Sequence, residues 1–170
     1  MQAKPPVLSE FAFLSVLEPE DAGFVGGLLV LNRTARPLEF HCTTPVRASR
    51  AQQILYGPTL RPYLFAEQIG GALLGRMKAK PGVLFTDRPE MLELRTMVTV
   101  PVALVLPHDA AGSDAMSEFT AGRNRLAVAP ERREDMERII EQVRDVAAWY
   151  DMVEPFQRIA DAVNEARRAA

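Results

Sequence analysis

Three short apolar runs near the start of the chain predict the opening of a β-sheet. Phe11 to Leu17 (FAFLSVL) is almost wholly apolar and strand-length. Pro19, Glu20, Asp21 and Gly23 then supply turn residues. Phe24 to Leu31 is apolar at nearly every position, the pattern of a central strand covered on both faces. Gly26 and Gly27 inside that run predict a bulge or the close approach of another element. After a turn from Asn32 to Pro37, the segment Leu38 to Thr44 returns. Strand alternation places Leu38, Phe40, Cys42 and Thr44 on one face and Glu39, His41 and Thr43 on the other.

Helical spacing takes over next. Arg50 to Leu55 reads as a helical turn, and Leu60 to Lys78 as a longer helix with Thr59 as its N-cap and Pro62 in its first turn. Ala66, Ile69, Leu73 and Met77 form its apolar stripe, and Gly70, Gly71 and Gly75 predict close packing on the sheet. Val83 to Thr86 is a fourth strand. Asp87 to Arg95 is a short helix or connection that Asp87 would cap. Val98 to Leu106 is a fifth strand in which Pro101 predicts an edge or a bulge. Residues 108 to 129 are polar and predict a mobile loop carrying a short helix at Asp114 to Phe119. Two amphipathic helices end the chain: Glu131 to Tyr150, and a second opened by an Asp151–Glu154 capping box with Phe156, Ile159, Ala160 and Val163 on its apolar stripe. The expected fold is α/β (α+β-like). Its mixed sheet has about five strands beginning with an antiparallel three-stranded meander, helices pack on that sheet, and a C-terminal helical pair follows. An N-terminal tail, residues 1–10, precedes a single domain over 11–170.

Composition narrows the class. At 170 residues and 48% hydrophobic, the chain can build a sizeable core without covalent staples. Its single cysteine excludes an intramolecular disulfide, which fits a reducing compartment. The opening MQAKPPVLSEF has no apolar core of a signal peptide, and no uncharged apolar stretch approaches 18 residues, so a cytoplasmic protein with no membrane span is expected. A net charge of −2 does not point to a polyanionic partner, although Arg76 to Lys80 forms a local basic rim.

Candidate chemistry is sparse. His41 and Cys42 are adjacent on a strand, so their side chains point to opposite faces and cannot act as a base–nucleophile pair. One cysteine and two histidines, His41 and His108, do not make a structural zinc site, and neither an HExxH motif nor a phosphate-binding loop is present. The segment Tyr56 to Gln68 gathers Tyr56, Arg61, Tyr63, Phe65 and Gln68 around two prolines, a composition suited to a binding surface.

The order of three sequential strands, a helix, a strand, a connection and a strand resembles the core of ribonuclease-H-like domains over roughly residues 11 to 106. That resemblance implies carboxylates on the first strand, on the following helix and at the end of the fourth strand, holding divalent metal. Glu67 stands on the corresponding helix and Asp87 directly follows the corresponding strand. The first strand has no aspartate; it offers Ser15, with Glu10 and Glu18 at its ends. The expectation is therefore a soluble protein-interaction or structural domain, working with a protein partner or as a homodimer, with no catalytic centre and no cofactor. The alternative is a nuclease-like phosphodiester hydrolase using Mg or Mn on Glu67, Asp87 and Glu18, or a degenerate, non-catalytic relative of that fold.

Overall fold

The computed structural model describes residues 10–170. Seven strands form one mixed sheet in the order β3-β2-β1-β4-β5-β7-β6. β1 (Glu10–Leu17), β2 (Val25–Asn32) and β3 (Pro37–Cys42) are the antiparallel meander that the apolar runs predict. β4 (Val83–Thr86) lies parallel to β1, and β5 (Val102–Leu106) parallel to β4. β7 (Asn124–Val128) and β6 (Ser117–Ala121) complete the sheet antiparallel to β5 and to each other.

Alternation along the strands divides the core in two. Phe11, Phe13, Phe85 and Val105 point to one face, covered by the helices Asp135–Val143 and Glu154–Ala169 through Ile139, Val143, Phe156, Ile159 and Val163. Ala12, Leu14, Val16, Leu84 and Leu104 point to the other face. There they meet Phe65, Ile69 and Leu73 of a continuous helical run over 60–76, and Met91 and Leu94 of a 3-10 segment, Pro89–Thr96. The middle of the 60–76 run, Tyr63–Gly70, is π-helical.

β2 explains its two glycines. A Cβ on Gly26 would lie 2.1 Å from Ile69 Cγ2 on one face, and a Cβ on Gly27 would lie 2.5 Å from Ile159 Cγ2 on the other. Helices from both sides therefore approach the backbone itself. Gly27→Ala is expected to cost about 1–3 kcal/mol by overpacking, read as a lower urea midpoint with an unchanged slope.

Several expectations need correction. Residues 108 to 129 contain the β6–β7 hairpin, with no helix at 114–119; Gly122 (φ 57°) makes its turn while Leu126 and Val128 enter the core. The polar partners on the open face of that hairpin disguise its strand periodicity. The face on which strand alternation groups Leu38 and Phe40 with Cys42 is not a buried one: Leu38 (49% exposed) and Phe40 (37% exposed) stay largely in solvent on the edge strand β3, where the ladder shifts register at Val30/Leu31. Pro101 directly precedes β5, where no ladder donor is needed, so β5 sits inside the sheet with neither edge nor bulge. Thr59 does not cap the helix; its hydroxyl donates to the Tyr56 carbonyl at 2.6 Å. Gly70 is closely packed, but against Leu94 of the 3-10 segment, and Gly75 faces open space. The helix expected over 131–150 is regular only over Asp135–Val143. The Asp151–Glu154 capping box does not form. Asp151 Oδ1 accepts from the Val153 N–H, and the Glu154 carboxylate takes Tyr150 Oη and Arg158 Nε. No helix among the described residues is long and apolar enough to cross a membrane.

Candidate functional site at the carboxyl ends of β1 and β4

The parallel register pairs Leu14 with Thr86, which brings Ser15 level with Asp87, the first residue beyond β4. Ser15 Oγ donates to Asp87 Oδ1 at 2.7 Å. Ser15 is buried, following Phe13 on the face beneath the C-terminal helices. Burial pushes the Asp87 carboxyl above its ordinary range, and the Ser15 hydrogen bond acts against that rise. Asp87 does not cap the following segment; the Thr86 hydroxyl accepts the Arg88 N–H at 3.1 Å. Arg88 Nε lies 3.8 Å from Asp87 Oδ1 and is buried with no hydrogen-bond acceptor.

A second polar group stands on the other face of the same end. Arg61 reaches Glu18 Oε1 through Nη2 at 2.7 Å and Glu90 Oε1 through Nε at 3.1 Å. Its guanidinium carbon lies 4.6 Å from the Phe65 ring centroid and 5.8 Å from that of Phe24. The carboxylates are thus tied to an internal cation resting on aromatic rings.

Glu67, Asp87 and Glu18 do not meet. Asp87 pairs with Ser15 on the face of the C-terminal helices, whereas Glu67 belongs to the helix covering the opposite face and is exposed. Glu67 lines an open cleft of about 470 Å³ with Tyr56, Pro62, Tyr63 and Glu93. Glu18 is held by Arg61. Among the described residues, no group of three or more His, Cys, Asp or Glu side chains is placed to hold a metal ion. A hydroxyl, a single carboxyl and an orphaned N–H donor do not make the oxygen-rich, anionic ligand set that Mg or Mn requires.

Of the residues expected to form a binding surface, Phe65 is fully buried and serves as the floor under Arg61. Tyr56 and Tyr63 stack on each other with centroids 4.4 Å apart, and Gln68 Nε2 donates to Tyr63 Oη at 2.6 Å. Cys42 is half-buried against the core, and His41 Nε2 sits 2.9 Å from Glu39 Oε2. The rim from Arg76 to Lys80 runs along the edge of the sheet: Arg76 Nη1 donates to the Cys42 carbonyl at 3.2 Å, at the end of β3, and the Lys80 N–H meets Glu10 at the start of β1. Arg88 and Glu90 escape sequence reasoning. Their one signal is position, just beyond a short apolar strand and its Asp87.

No family model and no curated protein matches the chain by sequence. Solved structures do match in fold. Human ENDOV superposes with a TM-score of 0.51 at 13% identity, covering 96% of this chain and 87% of that one. Endonuclease V of Ciona intestinalis, in complex with a 24mer DNA containing an inosine followed by a ribo-adenosine, gives 0.50 at 9% identity, covering 93% and 87%. The seven-stranded mixed sheet with its helices is thus the fold of these endonuclease V structures, consistent with a ribonuclease-H-like α/β topology. That finding overturns the expectation of a protein-interaction or structural domain acting with a protein partner or as a homodimer.

Proposed function

We propose that the chain is a non-hydrolysing relative of the endonuclease V fold that binds nucleic acid without metal. The observation that carries the reading is the Ser15–Asp87 hydrogen bond. Where the ribonuclease-H-like resemblance implies a carboxylate on the first strand, this chain has a hydroxyl that donates to its neighbour. A metal-binding pair would repel without its ion, whereas a serine–carboxyl pair satisfies itself. Among the described residues, the lack of any group of three His, Cys, Asp or Glu placed to hold a metal supports the same conclusion. Support for nucleic acid as the ligand comes from the fold, since one of the matching endonuclease V structures holds DNA.

The test uses the full chain with end-labelled single-stranded and duplex DNA, inosine-containing and plain, in Mg, Mn or EDTA. Native gels should show a retarded complex in all three, and denaturing gels of the same samples should show intact strands. Metal-dependent cleavage that disappears in Asp87→Asn would establish a hydrolase instead. Absence of any complex would remove nucleic acid as the ligand.

The pH dependence of stability separates the two possibilities further. Because burial raises the Asp87 pKa in the folded state, the folded chain holds this proton at a pH where the unfolded chain has released it. The group's contribution is therefore full below the unfolded value and is lost as pH rises through the folded value. Asp87→Asn can still accept from Ser15 and carries no charge. It is expected to match or exceed the wild type in urea stability at about pH 7, with a flatter profile above about pH 4. A clear loss at neutral pH would mean that the ionised carboxylate is needed.

A further inference from the structure

Two arginines flank this end of the sheet, and they are not equivalent. Arg61 is committed: Glu18 and Glu90 take its Nη2 and Nε, and Phe65 supports its plane. Arg88 is not. Its nearest carboxylate, Asp87, is engaged by Ser15, and the 3.8 Å separation from Asp87 Oδ1 is too long for a hydrogen bond. Its Nε is buried with no acceptor, while the side chain as a whole is 34% exposed. Among the described residues this buried donor has no acceptor, which is costly, and water or another acceptor from outside would satisfy it. The missing partner must be an anion or a neutral acceptor, the opposite of what a metal site would call for.

We infer that Arg88 binds a phosphate oxygen directly, at the place where the nucleases of this fold would use a metal ion to engage it. The inference rests on the nucleic-acid reading above and names the group that makes the contact. A guanidinium offers two parallel N–H donors to a phosphate, and its charge is permanent, so no metal is needed to bridge the two. The surroundings allow it. Of the nearby carboxyls, Glu18 and Glu90 share the one guanidinium of Arg61, and Asp87 accepts from Ser15, so none of them takes the Arg88 Nε–H.

Two probes test it on the intact protein. With labelled single-stranded DNA in EDTA, Arg88→Gln should weaken binding about tenfold, uniformly across sequences, and should reduce the slope of log K against log salt by about one. Arg88→Lys should retain the salt slope. Lys80→Gln, at the far end of the sheet beside Glu10, should bind as the wild type does. With inorganic phosphate alone, the Arg88 Nε–H resonance, identified by its loss in Arg88→Lys, should move and saturate. Undiminished DNA binding by Arg88→Gln together with a resonance unmoved by phosphate would overturn the assignment while leaving the nucleic-acid reading intact. A saturating shift with no DNA binding would uphold the phosphate contact and refute that reading instead.

Discussion

Replacing Asp135 by alanine is expected to cost about 3–5 kcal/mol, the largest single loss in this chain. The carboxylate is fully buried, and it accepts from Arg95 Nε at 2.7 Å and Arg138 Nη1 at 3.1 Å. Arg95 is itself largely buried and also donates to the Val98 carbonyl at 2.9 Å. Truncation would strand a desolvated guanidinium between the 3-10 segment Pro89–Thr96 and the helix Asp135–Val143. Against a typical total of about 5–15 kcal/mol, such a loss leaves the chain marginal. Asp135→Asn keeps one acceptor and should lose less. Changing Asp135→Leu and Arg95→Met together should recover much of the stability, because neither charge then remains buried alone. Urea midpoints of the four proteins decide the matter, and an Asp135→Ala loss below about 1 kcal/mol would show the pair to be solvated. The consequence reaches the candidate site, since the anchored segment carries Glu90, one of the two carboxylates that hold Arg61.

The second large effect concerns Ser15→Asp, which would restore a carboxylate to the first strand. Two carboxyls at hydrogen-bond distance, one buried and one partly buried, ionise together only at high cost, so the pair should retain a proton. Raising the apparent pKa of the pair by roughly two corresponds to about 3 kcal/mol lost at neutral pH. The sign is definite. The folded pKa lies above the unfolded one, so stability is recovered as pH falls toward about 4 and is lost as it rises. Mn should not rescue the variant, because Glu67 lies with the helix on the opposite face and Glu18 is paired with Arg61. A thermal midpoint restored by Mn would mean that a third ligand moves into place, and that the site is a disguised metal centre.

Most of the architecture is legible in the chain. The meander follows from apolar runs of strand length, and the two glycines of β2 announce the helices that press on it from either side. The β6–β7 hairpin is not legible. Ser117, Glu118, Thr120 and Arg125 give it a loop's composition, and only burial of Leu126 and Val128 reveals its inner face. At the site, the one polar residue of the run Phe11 to Leu17, Ser15, and the residue after β4, Asp87, stand out in the sequence, but the pairing of two residues 72 positions apart depends on the parallel register of their strands. Glu67 shows the limit of reasoning from element order. It stands on the expected helix, yet which sheet face that helix covers, and which face Asp87 points to, are decided by packing. Arg88 carries no sequence signal of its own role, because an unsatisfied donor exists only relative to the atoms around it.

Calorimetric titration of Mn into the intact protein addresses the metal-free site most directly, with Asp87→Asn titrated alongside. The expected result is no saturable heat in either protein, and the same affinity for labelled DNA in Mn as in EDTA. Saturable Mn binding that disappears in Asp87→Asn would contradict it, placing a metal where Ser15, Asp87 and Arg88 leave no ligand set to hold one.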